Sequence, residues 1–308
     1  MSEVAIGIDI GGTEIKYGLV TPRGEVRHAG AVGTEVVAAR EGVQRGLREV
    51  LASCRRHAEL KGLEITALGM GIPGTVTGRR GTMLMTPPQI QGLQGWETGT
   101  YLRRLARVPV AVDNDATVAG LAEARIGAGR GFETVILVTV GTGLGGALVV
   151  GGQLVRGEYG TGGEIGHAVF IPDGLPCAHG GRGCLELYTS ATALVRIYRE
   201  LGGRDQDSAR DIVAKAKQGQ RRATRALGEI GRNLGLGVSA LANVVAPDLV
   251  VVGGGLSAAG RLLIAPARES FKEQCLPYAS KGVRWVRARL GNKAGLIGAA
   301  LLGIEEGV

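Results

Sequence analysis

Aromatic side chains are scarce: Phe, Trp and Tyr make up 4% of the 308 residues. A core this poor in rings must be filled by Val, Ile, Leu and Ala. The same scarcity argues against a nucleic-acid surface in which basic residues alternate with stacking rings. Cysteine is also sparse, at 4 residues, with Cys54 and Cys275 isolated and Cys177 and Cys184 sharing one loop with histidines. That is no secreted disulfide framework. No apolar run approaches the length of a membrane span, and the N-terminal MSEVAIGIDIGG is too short and too glycine-interrupted for a signal peptide. These absences lead us to expect a soluble cytoplasmic protein with no membrane partner. No low-complexity linker divides the chain.

What is present is aliphatic and glycine-rich. Hydrophobic residues at 44% suffice for real cores, and a chain of this length is expected to form two compact lobes. The 54 glycines follow no collagen-like period, which points to tight turns and close backbone approaches to a ligand. The net charge of +8 comes from scattered pairs such as Arg55–Arg56, Arg79–Arg80, Arg103–Arg104 and Arg221–Arg222. We read these as solvated helix faces that give a general attraction for anions such as nucleotides, not a specific nucleic-acid site.

The chain opens as strand, glycine turn, strand: VAIGIDI, GGT, EIKYGLV. A third strand is expected from Val26 to Gly30, then a helix over Glu41–Lys61 with Val43, Leu47, Val50 and Leu51 on one face. Leu68–Pro73 is a short strand entering a PGT turn, 98–107 is helical, and VPVAVDND is a strand followed by a helix over Ala116–Ile126. A second glycine hairpin, TVILVTV, GTGLGG, ALVVGG, repeats the first. Beyond a loop-rich stretch at 157–183 come helices over 185–244, the strand LVVVGGG, a strand near Val283–Ala288 and a closing helix from about Lys293. The repeated hairpins suggest a duplicated α/β fold divided near residue 114. We expect a small lobe of residues 1–114, with the closing helix (about 293–308) packed back on it, and a large lobe of 115–292.

Each turn bears residues suited to phosphate. In DIGGT, Asp9 ends a strand where a carboxylate can hold Mg²⁺ through water, Gly11 and Gly12 bare their backbone N–H groups, and Thr13 adds a hydroxyl. GTGLGG offers the same cradle with Thr142 and Gly143. An ordinary β-turn would look alike in either place, but two such turns between apolar strands suggest a nucleotide phosphate held from two sides. Neither is a Walker A loop, since no GK[ST] follows, nor a dinucleotide fingerprint, whose turn leads into a helix. Gly253–Gly255 closes a strand where adenine or ribose can lie against backbone, or where the chain simply turns. Asp113, Asn114 and Asp115 precede a helix, which calls for one of them as an N-cap or one carboxylate as a general base.

The most specific local signal is GGEIGH followed by PCAHGGRGCLE. His167, Cys177, His179 and Cys184 form a Cys₂His₂ set between positions 167 and 184, in a chain with only 4 His and 4 Cys. Two thiolates and two imidazoles favour a structural tetrahedral Zn²⁺. The spacing lacks the intervening helix of a nucleic-acid zinc finger.

Together these motifs resemble the ROK family of sugar kinases and repressors nearly end to end. DIGGTEIKYGLV resembles its first phosphate motif, GMGIPGTV its sugar-side turn, VDNDA its catalytic segment, VTVGTGLGGALV its second phosphate motif, VVVGGG its adenosine site and NKAGLIGAALL its closing helix. The resemblance implies a two-lobed actin-like, ribonuclease-H-like ATPase fold and transfer of phosphate from ATP, with Mg²⁺, to a hexose, glucose foremost. It implies that Asp115 is the general base. Gly74, Asn114, Glu164, His167 and Glu186 would contact the sugar, with His167 also on zinc. Asp9, Gly11, Gly12, Thr13, Thr142, Gly143, Gly254 and Gly255 would bind the nucleotide. It further implies a homo-oligomer, dimer or tetramer. Repressors of the family carry a helix-turn-helix ahead of the first strand, and here that strand starts at the N-terminus. Two departures stand out. His179 replaces a cysteine of the family's zinc loop, and Gly92 in QGLQGW replaces an asparagine, so that sugar contact is lost or moved to Gln89, Gln91 or Gln94.

Overall fold

The computed structural model describes residues 2–12, 14–33, 39–77, 80–86, 90 and 92–307. Thr13, Gln89 and Gln91 lie outside the described residues. By density of internal contacts the chain forms two compact units, Met1–Arg130 with Val155–Gly162 and Asn292–Val308, and Gly131–Leu154 with Gly163–Gly291.

In the first unit, β1 (Ser2–Ile10), β2 (Glu14–Val20) and β3 (Val26–Gly33) are followed by α1 (Arg40–Lys61) and β4 (Leu63–Ile72). Next come a small hairpin, β5 (Thr75–Thr77) and β6 (Thr82–Met85), then α2 (Thr98–Ala106), β7 (Val110–Asn114) and α3 (Asp115–Arg125). The second unit holds β8 (Val135–Val140), β9 (Leu144–Val150) and β10 (Gln153–Leu154), the short helix α4 (Glu186–Thr189), and the helices α5 (Ala191–Glu200), α6 (Ala209–Lys217) and α7 (Arg221–Val245). It is completed by β11 (Leu249–Gly253), α8 (Arg261–Gln274), α9 (Pro277–Ser280) and β12 (Arg284–Arg287). The closing helix α10 (Ala294–Glu306) belongs to the first unit.

The two main sheets have one topology. Their strand orders are β3-β2-β1-β4-β7 and β10-β9-β8-β11-β12. In each, the first glycine turn joins an antiparallel pair, β1–β2 or β8–β9, and two parallel strands follow on the other side of the first strand. The duplication expected from the repeated hairpins is therefore a duplication of the whole sheet.

Helix α1 buries the apolar face its spacing predicts, Val43, Leu47, Val50 and Leu51, and ends at Gly62 in the left-handed conformation, φ 60°. Helix α10 lies unusually close to its sheet. A Cβ on Gly69 would stand 1.6 Å from the Ala299 carbonyl oxygen, and one on Gly7 1.9 Å from that of Leu296. Glycine on β1 and β4 thus lets helix backbone touch strand backbone, which accounts for part of the glycine content.

The units divide the chain differently from a cut at residue 114. Helix α3 stays with the first unit because it packs on α10; a Cβ on Gly298 would fall 1.7 Å from the Val118 carbonyl oxygen. The segment 155–162 also joins the first unit, where Thr77 Oγ1 donates to the Glu158 carbonyl at 3.0 Å and Gly160 lies against Val76. Among the described residues, no helix is long and apolar enough to cross a membrane.

Candidate active site

On the first unit, Asp9 stands one residue before the end of β1, paired in register with Lys16 of β2. Its carboxyl is pushed up to about 6, first by burial and next by the charge of Asp115. The turn that follows does not need glycine for its own conformation. Gly11 and Gly12 do not have positive φ, and a Cβ on Gly12 would meet nothing within 4 Å. Bare backbone where the fold would accept a side chain is what a ligand approaching the N–H groups requires.

Asn114 is the N-cap of α3. Its Oδ1 accepts from the N–H of Ala116 at 2.8 Å and of Thr117 at 3.2 Å, and its Nδ2 donates to the Gly74 carbonyl at 3.0 Å. The capping alternative is thus realised at Asn114, whose side chain also hydrogen-bonds the Asp115 carboxylate. Gly74 is required by the backbone: its φ is +109°, and a Cβ would lie 2.2 Å from the Met85 carbonyl oxygen. Asp115 begins α3, half-buried, with Oδ1 accepting from the Ala116 N–H at 2.9 Å. Burial raises its carboxyl above the usual range, against the hydrogen bond from Ala116. The structure therefore joins Asp9 to Asp115 electrostatically and Asn114 to Gly74 by a hydrogen bond.

On the second unit, the Gly141–Gly143 turn is fastened to the start of α5. The Ala191 N–H donates to the Gly141 carbonyl at 2.7 Å, and Thr192 Oγ1 to that of Thr142 at 2.8 Å. Thr142 is exposed. A Cβ on Gly143 would meet only the Glu186 Oε2, at 2.8 Å. Gly255 is open around its Cβ position, whereas Gly254, φ +75°, would strike the Val140 backbone at 2.5 Å. Gly254 is thus fixed by the fold and Gly255 is not. Glu164 precedes the short helical turn Ile165–His167.

The ligand atoms of His167, Cys177, His179 and Cys184 all lie within 4.8 Å of one another. Cys177 Sγ is 3.7 Å from His167 Nδ1, and Cys184 Sγ is 3.6 Å from His179 Nδ1. A tetrahedron with zinc–sulfur and zinc–nitrogen bonds of ordinary length has a sulfur–nitrogen edge of about 3.6 Å. The donor set fits such an ion. Tight turns hold the loop, with the Cys177 N–H donating to the Gly181 carbonyl at 2.9 Å and Gly180 at φ +96°. Gly181 leaves room for the His179 ring, whose Nε2 is 2.4 Å from its Cβ position. Glu186 adjoins the cluster, its Oε1 3.5 Å from Cys177 Sγ and 3.8 Å from His167 Nδ1.

The sequence pattern missed three neighbours of these residues. Gly295 makes room for Asp9, Lys16 draws its pKa down, and Arg156 forms an ion pair with Asp113. Gly295 lies within the NKAGLIGAALL motif, but nothing in that motif names Asp9.

Paired antiparallel hairpins heading two sheets of identical order define the actin-like, ribonuclease-H-like ATPase class, and the structural likenesses agree. A ROK family glucokinase from Streptomyces griseus, solved in complex with glucose and AMPPNP, matches with a TM-score of 0.83 and 35% identity, covering 98% of this chain and 99% of that one. A ROK hexokinase from Thermus thermophilus matches with a TM-score of 0.83 and 31% identity over 98% and 99%. In sequence, a glucokinase from Streptomyces coelicolor is 35% identical, covering 98% of each chain. Residues 5–306 match the model of the ROK family. The chain belongs to the ROK family and is similar to its glucokinases.

Proposed function

We propose that the chain transfers the γ-phosphoryl group of ATP to the primary hydroxyl of a hexose, and that glucose is the sugar, giving glucose 6-phosphate. The observation that carries this reading is the Asp115 carboxylate, half-buried at the start of α3 and coupled to a second carboxylate, Asp9.

Asp115 accepts the hydroxyl proton as the sugar oxygen bonds to the γ-phosphorus and the bond to the bridging oxygen breaks, releasing ADP. The transition state of such transfers is loose, so positioning and charge neutralisation outweigh strong base chemistry. Gly11, Gly12, Thr13, Thr142 and Gly143 supply donors to the phosphates, and Gly254 and Gly255 take the adenosine. The Asn114 side chain binds a neighbouring hydroxyl, Gly74 touches the sugar by backbone, and Glu164, His167 and Glu186 hold the far hydroxyls. Asp9 would hold Mg²⁺ through water, and the ion supplies charge neutralisation to the phosphates when bound. His167, Cys177, His179 and Cys184 would hold a structural Zn²⁺, which fixes the orientation of the loop when bound. With His167 engaged through Nδ1, its Nε2 is left for the sugar.

Gly92 has φ +72°, a conformation asparagine also tolerates, so the family's asparagine is replaced here for reasons other than backbone strain. N-acetylmannosamine, fructose and allose are the other candidates. We propose further that the protein is a cytoplasmic homo-oligomer, dimer or tetramer, which light scattering on the purified protein checks.

The test of the reading is a coupled phosphorylation assay over hexoses and amino sugars, run with ATP and with inorganic polyphosphate. Fastest turnover of glucose with ATP supports it. Preference for another sugar replaces glucose by that sugar, and ATP turnover indifferent to every sugar overturns the kinase.

A further inference from the structure

We infer that Arg156 is a positioning residue for the base, acting through Asp113 on the corner that carries Asn114 and Asp115; the inference rests on the kinase reading above. Strand β10 ends at Leu154 in the second unit, and two residues later Arg156 lies in the first. Its Nε is 2.6 Å from Asp113 Oδ2, and Asp113 is 1% exposed. Its Nη2 donates to the Val112 carbonyl at 3.2 Å, and its Nη1 pairs with Glu306 near the end of α10. One guanidinium thus meets β7 through an ion pair with Asp113 and a hydrogen bond to the Val112 carbonyl, and α10 through Glu306, a set of directions that a lysine ammonium cannot match.

The grip continues toward the site. Asp113 Oδ1 accepts the Asn114 N–H at 2.7 Å, and the Asn114 side chain caps α3 and binds Gly74. A continuous chain of contacts runs from the guanidinium to the peptide that precedes Asp115. A carboxylate as buried as Asp113 stays ionised only with a partner. Even beside Arg156, burial pushes it up to about 6, and the charged groups that bear on it are Arg156 and Glu306. Without the guanidinium, Asp113 would take up its proton at higher pH, and its hold on the Asn114 N–H would weaken. A shift of about 1 Å at a reacting group is enough to cost about a hundredfold in rate.

The test compares Arg156→Gln, Arg156→Lys and Asp113→Asn in the full chain, measuring kcat, both KM values, the pH profile of kcat and thermal unfolding. Sugar phosphorylation by the unaltered protein is established first; its absence would count against the kinase reading and not against this one. For Arg156→Gln we expect kcat to fall about 10- to 100-fold with both KM values within about threefold, and the acid limb of kcat to move to higher pH. Arg156→Lys should recover part of the loss. Unchanged kcat, a loss confined to KM, or a lysine variant no better than glutamine at equal thermal stability overturns the inference. If Arg156→Gln does not fold, the isosteric Asp113→Asn decides: lowered kcat with an altered acid limb supports it, and wild-type kcat and profile overturn it.

Discussion

The carboxylate of Asp9 fills the space in which a side chain on Gly295 would have to stand, its Oδ2 lying 2.3 Å from that Cβ position. Strand β1 and helix α10, distant in sequence, thereby share one small volume. Gly295→Ala must push either the carboxylate or the helix aside, an overpacking that costs about 1–3 kcal/mol. We predict weaker Mg²⁺·ATP use, seen as a raised KM for ATP, together with a lowered melting temperature. Normal kinetics and normal stability would show that Asp9 tolerates displacement and has no role at the phosphates.

The raised pKa of Asp9 makes its effect on stability depend on pH. A carboxylate raised from 3.8 to about 6 binds more protons in the folded state between those values. Its stabilising contribution is therefore complete below about pH 3.8 and lost as pH rises through about 6. Asp9→Asn should accordingly raise the melting temperature at about pH 7.5, and the gain should shrink as pH falls toward about 4. Activity runs the other way: protonating Asp9 removes the charge that attracts Mg²⁺, so apparent Mg²⁺ affinity should weaken below about pH 6. Melting curves and Mg²⁺ titrations over that range check both signs. A destabilised Asp9→Asn at neutral pH contradicts the first.

Elemental analysis tests the Cys₂His₂ loop. We predict about one zinc per chain, loss of that zinc in Cys177→Ser, and its retention in His179→Cys, which keeps four ligands. The zinc-free variant should unfold at lower temperature. Zinc content near zero in the unaltered protein contradicts the site.

The local chemistry of the site was legible because it sits in short motifs. The two glycine turns, the acids ending β7 and the Cys/His loop are each contiguous, and the apolar face of α1 follows from its spacing. What was not legible depends on partners far apart in the chain. The pairing of Asp113 with Arg156 joins residues on opposite sides of the second hairpin, and no local pattern announces it. The return of 155–162 to the first unit is likewise set by contacts to Val76 and Thr77. The β5–β6 hairpin was missed because its strands are short, Thr75–Thr77 and Thr82–Met85. The cut at residue 114 failed to anticipate that α3 packs on α10, since α3 follows β7 without a break and its packing partner lies at the far end of the sequence.

Asp115→Asn keeps the size of the side chain and an oxygen to accept the Ala116 N–H, and removes the base. Its turnover of glucose with ATP, set beside glucose binding by calorimetry, tests the central claim most directly. A fall in kcat of about 10²- to 10⁴-fold with glucose binding largely kept is the predicted result. Turnover near that of the unaltered protein would contradict it.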